Sequence, residues 1–185
     1  MIVFLDFEAS SLGKRGFPVE VGWVWEDGTE EAHLIRPAPD WQEWSAEAER
    51  IHGLSREDLE REGEPHDQVA RRMVEVLTGQ DLYASAPSWD GQWLSRLLRA
   101  AGLPRHALRL RDTEEARRAA ALAALAAVSL DPARHEEVVA VVMAGVEQDA
   151  KSAMPAHRAL ADARREMELW RGIGDRVREA LDRGH

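Results

Sequence analysis

Ile2-Val3-Phe4-Leu5-Asp6-Phe7-Glu8 opens the chain with a run of apolar and β-branched residues into which two carboxylates are set. Its length and composition read as a buried strand over residues 2–7. Side chains alternate across a strand, so Asp6 and Glu8 share one face while Leu5 and Phe7 share the other. Burying a bare carboxylate in an apolar element is costly. A hard divalent cation, held by oxygen ligands, changes that balance. Two same-face carboxylates at a strand's end are therefore a natural ligand pair; the alternative is a strand end turned to solvent, and Asp-x-Glu alone does not separate the two.

Outward from this run, Ser10-Ser11-Leu12-Gly13 ends the strand and Gly16-Phe17-Pro18 punctuates a loop. Residues 19–25 alternate around Glu20 as a second strand, Glu26-Asp27-Gly28 is a hairpin turn, and residues 30–36 return as a third strand. Residues 41–62 form an acidic, Trp-containing linker with short helical pieces around Ile51-His52-Gly53-Leu54. From Pro65 the period becomes helical through Val69, Met73, Val76 and Leu77. Residues 81–86 make a fourth strand, 90–101 an amphipathic helix stopped by Gly102, and 107–110 a fifth strand followed by Asp112-Thr113. Residues 114–128 are Ala-rich and helical, Asp131-Pro132 restarts a helix carrying Val138, Val142 and Val146, and Pro155 opens a last long helix to about Leu181. The pattern predicts a single α/β domain over residues 1–185, with a five-stranded mixed sheet (a three-stranded antiparallel meander plus two parallel strands) flanked by helices.

Three further polar residues stand out. Asp90 follows the fourth strand and precedes the amphipathic helix. An N-cap is the plain reading, but pairing of the first and fourth strands would bring it close to Asp6. His157 and Asp162 are five residues apart, about 140° round an ideal helix, so they do not share a helical face. Asp162 is expected on the helix and His157 at its entry, as a ligand and a base respectively. Histidine suits proton transfer because its unperturbed pKa lies near neutrality.

Taken together these stretches resemble the DnaQ-like 3′–5′ exonuclease superfamily in its DEDDh branch, with its ribonuclease H-like fold. Asp6-Phe7-Glu8-Ala9-Ser10-Ser11-Leu12 resembles the first exonuclease motif, Trp89-Asp90 the second, and His157-Arg158-Ala159-Leu160-Ala161-Asp162-Ala163 the third. Ile51-His52-Gly53-Leu54 is similar to the family's element beside the terminal nucleotide. One departure is that the second motif usually carries an Asn before the aromatic residue and the Asp, where this chain has Ala86-Pro87-Ser88.

The resemblance implies removal of 3′ nucleotides from single-stranded DNA or RNA, or from short oligonucleotides, by a two-metal-ion mechanism. Asp6, Glu8, Asp90 and Asp162 would hold two Mg²⁺ or Mn²⁺ ions about 4 Å apart, and His157 would act as general base. Ala9, Ser10, Leu12, Ile51, His52 and Trp89 would contact the terminal nucleotide, with stacking tolerant of any base. Residues 114–150 match no motif of the family and leave two expectations open: a wall of the substrate channel, or an oligomer contact such as a homodimer.

Composition sets the remaining bounds. The chain has 185 residues and no cysteine, which excludes a disulfide framework and a thiolate metal site. No apolar run approaches the ~18 residues of a membrane span, the N-terminus lacks the features of a signal peptide, and the expected location is cytoplasmic. A net charge of −10 opposes nucleic-acid binding at first sight. The charge is uneven, however: residues 19–64 carry net −10, whereas residues 96–118 carry seven arginines and net +4. Either these arginines simply solvate helix faces or they form a local patch for a nucleic-acid strand. The competing functional reading is a catalytically degenerate module of the same fold that binds nucleic acid or protein.

Overall fold

The strand β1 (Ile2–Ala9) lies inside the sheet rather than at its edge, and everything else is placed relative to it. The computed structural model describes residues 1–126, 128, 131–152, 154 and 156–183. β1 pairs antiparallel with β2 (Pro18–Trp25), and β2 pairs antiparallel with β3 (Glu30–Arg36), closing the expected meander. The β2–β3 turn has Gly28 at φ +93°, a conformation that glycine adopts without steric cost. After β3 come the short helices α1 (Ala46–His52) and α2 (Arg56–Glu62), capped by Ser45 and Ser55, whose hydroxyls accept the Ala48 and Asp58 N–H groups.

A two-residue strand, β4 (Glu64–Pro65), then runs parallel to β3 and makes the sheet six-stranded, one strand more than expected. No periodicity could announce two residues. A Cβ at Gly63 would sit 2.7 Å from the Arg36 nitrogen, so glycine is what lets the chain approach β3 there. α3 (His66–Leu77) follows, and β5 (Asp81–Ala84) pairs parallel with β1 on the side opposite β2.

α4 (Pro87–Ala100) begins three residues earlier than its apolar period indicates, with Pro87 in its first turn. It ends at Gly102, φ +71°, where the Leu103 N–H donates to the Leu98 carbonyl. The last strand, β6 (Leu110–Asp112), pairs parallel with β5, so the sheet order is β4-β3-β2-β1-β5-β6. This strand was expected at residues 107–110. Residues before it form a turn closed by Ala107 N–H to the Pro104 carbonyl, and the ladder with β5 starts only at Leu110.

The remainder is helical: α5 (Thr113–Ala126), α6 (Pro132–Ser152), α7 (Ala159–Arg171) and α8 (Ile173–Arg183). The single last helix expected from Pro155 is thus two helices broken at Gly172; Pro155 itself lies outside the described residues. The break separates two cores. α7 covers one face of the sheet, where Ala163 and Met167 pack with Phe4, Val24 and Tyr83. α8 turns its Ile173 and Val177 into a satellite core with Leu125, Val139 and Val146 from α5 and α6. The larger core fills the other face of the sheet, where Leu5 and Phe7 meet Met73, Leu77, Leu94 and Leu97 of α3 and α4. Among the described residues no helix is long and apolar enough to cross a membrane.

Candidate active site

Alternation along β1 places Leu5 and Phe7 in the larger core and leaves Asp6 and Glu8 on the α7 face, half-buried. Asp6 is paired in the ladder with Gly22 of β2, and that glycine makes the site possible. A Cβ there would stand 2.4 Å from the Leu160 nitrogen and 2.5 Å from its Cα. With no side chain in the way, the first turn of α7 lies directly on the sheet. Asp162, two residues further on, is thereby carried to β1. Carboxylate oxygens of Asp6, Glu8 and Asp162 all lie within 4.8 Å of one another.

Such a cluster repels itself. Burial is the largest influence on Asp6, whose carboxyl is pushed well above the ordinary range, with the charges of Asp90, Glu8 and Asp162 adding to it. Glu8 is pushed up to about 7, again by burial first and then by Asp162 and Glu20. Asp90 reaches about 7 through burial, against backbone hydrogen bonds including that of Phe7. Its Oδ2 is a buried oxygen without a hydrogen-bond partner. Oxygen donors crowded together at the cost of their own ionisation, one of them orphaned, are a donor set that fits hard divalent cations. Asp90 is not part of the 4.8 Å group, although among the charges acting on Asp6 it is the largest. It lies within the first turn of α4, with Ala86 rather than Asp90 at the cap position.

His157 stands two residues before α7, outside the helix, with φ +52°. A non-glycine residue in the left-handed region is strained and persists only where its surroundings hold it. Two contacts do so. Asp162 Oδ1 accepts the Ala156 N–H at 3.1 Å, and the Arg158 guanidinium is paired with Glu20 at 2.6 Å. His157 lines a cavity of about 360 Å³ together with Asp6, Glu8 and Asp90.

The mouth of that cavity is apolar. Leu12, Ile51 and Trp89 are 73%, 46% and 41% exposed, unusual for large apolar side chains, and Trp89 stacks on Trp93 with ring centroids 5.9 Å apart. Ala9 and His52 also line the cavity. His52 Nδ1 accepts the Leu54 N–H at 3.0 Å, which leaves its proton on Nε2; burial lowers its pKa and keeps it neutral. Ser10 is the exception among the expected nucleotide contacts. It is fully buried, its hydroxyl accepts the Phe17 N–H, and its backbone bonds to Phe17 and Ser45, so it shapes the loop after β1 and does not reach the cavity.

Comparison with known structures decides the fold. Zinc-bound E. coli exonuclease I in complex with single-stranded DNA superposes with a TM-score of 0.67 at 18% identity, over 98% of this chain and 42% of that one. The same enzyme with a dT13 oligonucleotide gives 0.67 at 17% identity over the same shares, and exonuclease I without ligand gives 0.66 at 16% over 98% and 43%. The chain has the exonuclease I fold. Its six-stranded mixed sheet flanked by helices is the ribonuclease H-like architecture expected from the sequence. The chain spans about two fifths of the length of these structures, and at such identities the likeness is one of fold. No protein-family model matches the chain, and no curated protein sequence matches it.

Within this fold, two ion pairs built on buried glutamates complete the site and were not singled out from sequence. Glu20, 3% exposed, accepts from both Arg158 and the Ala159 N–H. Glu166 is paired with Arg117 behind Asp6. The second was within reach of a sequence reading, since Glu166 is four residues after Asp162 and so continues the same helical face.

Proposed function

We propose that the protein is a metal-dependent 3′–5′ exonuclease acting on the 3′ ends of single-stranded DNA or RNA. The observation that carries this reading is the meeting of Asp6, Glu8 and Asp162 oxygens within 4.8 Å of one another, beside a cavity that Asp6 and Glu8 line together with Asp90 and His157. Nothing in a stable core requires that arrangement, and its charges add to the burial that raises the pKa values of Asp6 and Glu8.

In this reading Asp6, Glu8, Asp90 and Asp162 would hold two Mg²⁺ or Mn²⁺ ions. When bound, the ions supply charge neutralisation at the scissile phosphate and acidify the attacking water. His157, on its constrained turn before α7, accepts the proton of that water at the open side of the cavity. Leu12, Ile51 and Trp89 hold the terminal base by apolar contact and stacking, which fits a processing enzyme indifferent to sequence. His52 and Ala9 form the cavity wall beside the same nucleotide. The single-stranded DNA in the exonuclease I complexes is in keeping with this substrate class.

The test is a gel assay with end-labelled single-stranded DNA and RNA, each with Mg²⁺, Mn²⁺ or EDTA. Stepwise shortening from the 3′ end that requires metal is the expected result, and which strand is shortened assigns the sugar preference. Shortening that persists in EDTA, or unchanged in an Asp6→Ala protein, rejects the assignment.

A further inference from the structure

The arginine-rich stretch noted in the sequence divides into two populations in the fold. Arg111, Arg117 and Arg118 are paired with carboxylates: Asp81 and Glu115, Glu166, and Glu136 respectively. Arg96, Arg99, Arg105 and Arg109 have no carboxylate partner among the described residues, and neither has Lys14. These five line one groove of about 670 Å³ on the outer side of α4, and no Asp or Glu is among its lining residues. In a chain of net charge −10, a groove with five cations and no anion is a local inversion of the surface charge.

Two features say what occupies it. Trp93 is a wall of both this groove and the candidate active-site cavity, so the two lie side by side along α4. Arg96 and Arg99 also stand on α4 beyond Asp90, about 9 and 14 Å along the axis at ~1.5 Å per residue. That reach corresponds to about three to four nucleotides of a stacked strand at roughly 3.4 Å each. We propose that this groove holds the phosphates of the strand on the 5′ side of the nucleotide being removed. The inference rests on the exonuclease reading for its polarity and extends it by naming the strand-binding track. Arg96 also donates to the Gly16 carbonyl and ties the groove to the loop after β1, so it has a structural duty. Arg99 reaches only its own helix at Ser95, Arg105 only His106, and Arg109 nothing among the described residues.

The experiment compares wild type with an Arg99→Ala/Arg105→Ala/Arg109→Ala variant of unchanged thermal stability. Binding of a long labelled oligothymidylate is followed by fluorescence anisotropy in EDTA over a series of KCl concentrations, and hydrolysis of a trinucleotide is followed with Mn²⁺. The long strand should bind the variant about tenfold or more weakly, with a log–log salt slope shallower by about 2, as for three lost single-strand phosphate contacts. Trinucleotide hydrolysis should be unchanged, because so short a strand does not enter the groove. Equal affinity and equal salt slope for the long strand overturn the proposal. So does a wild type that binds oligoglutamate through these arginines but no oligonucleotide. A wild type that binds the long strand through them yet hydrolyses nothing supports the groove and overturns the exonuclease reading instead.

Discussion

Glu8 and Glu20 face each other across the β1–β2 ladder, and of the two only Glu20 is held in an ion pair among the described residues. Arg158 pairs with it and the Ala159 N–H donates to it at 2.9 Å, whereas Glu8 is left with a pKa pushed up to about 7. Arg158 at the N-cap of α7 offers no side-chain cap of its own. Glu20 thus serves as the cap from a neighbouring strand, its charge favourable at a helix N-terminus. One carboxylate is spent on holding α7 and the His157 turn in place, and its neighbour stays available to a cation.

Glu20→Ala should therefore cost about 1–2 kcal/mol of stability, the range of a lost helix cap. It should also lower kcat at least about tenfold, because small misplacements of catalytic groups are expensive. Glu20→Gln keeps an acceptor for Ala159 and should recover most of the stability but not the grip on Arg158. Urea titrations beside single-turnover rates on the two variants separate the cap from the ion pair.

Gly22→Ala tests whether the close approach of α7 to the sheet positions Asp162. The added methyl meets backbone, not a side chain that can move aside. Overpacking against backbone should cost about 3 kcal/mol or more. Mn²⁺ affinity measured by calorimetry should fall, as Asp162 is lifted away from Asp6 and Glu8. Unchanged Mn²⁺ affinity in a folded Gly22→Ala protein would show that this contact does not set the site.

His157→Asn isolates proton transfer from backbone geometry, because Asn tolerates the left-handed conformation that residue 157 adopts. The expected loss in kcat is about 10²- to 10⁴-fold. Thermal stability and Mn²⁺ binding should be preserved, since His157 is not among the clustered carboxylates.

How much of this was readable in the sequence follows from the range of each signal. The face shared by Asp6 and Glu8 is a property of one strand, and period-two alternation was enough to give it. Helix α3 showed itself through Val69, Met73 and Leu77, all fully buried. The entry position of His157 followed from helical geometry alone. What stayed hidden depends on contacts between distant segments. β4 exists because Gly63 lets two residues lie beside β3, and the site depends on Gly22 admitting α7; neither glycine sits in a turn signal. The break at Gly172 was masked by continuous helical composition, and it is set by Ile173 and Val177 finding a different core from that of α7. Glu20 looked like an ordinary member of an alternating strand until the fold brought Arg158 to it.

The buried pair of Arg117 and Glu166 lies behind Asp6 and holds down one negative charge beside it. Arg117→Met alone should destabilise the protein by about 3–5 kcal/mol, because Glu166 is then left buried and unpaired. Arg117→Met together with Glu166→Leu removes both charges and should return most of that loss. Chemical denaturation of the two variants gives the coupling directly. A single variant as stable as wild type would mean that Glu166 finds solvent.

Asp90 carries a prediction whose sign is opposite to that of a salt-bridged acid. Its folded pKa is raised to about 7, whereas an unfolded Asp titrates near ~3.9. Between these values the folded protein keeps a proton that the unfolded chain has released, so stability falls as pH rises through that window and levels off above it. Asp90→Asn cannot ionise and lacks this decline. In EDTA, wild type and variant should differ by a constant amount below about pH 4. The variant should then gain on wild type up to pH ~7, by on the order of 4 kcal/mol in total. Adding Mn²⁺ at pH ~8 should reverse the order, because a bound cation stabilises the ionised carboxylate that Asn cannot supply. A stability difference that does not vary with pH would mean that Asp90 is ionised throughout, and the argument that this carboxylate awaits a cation would lose its basis.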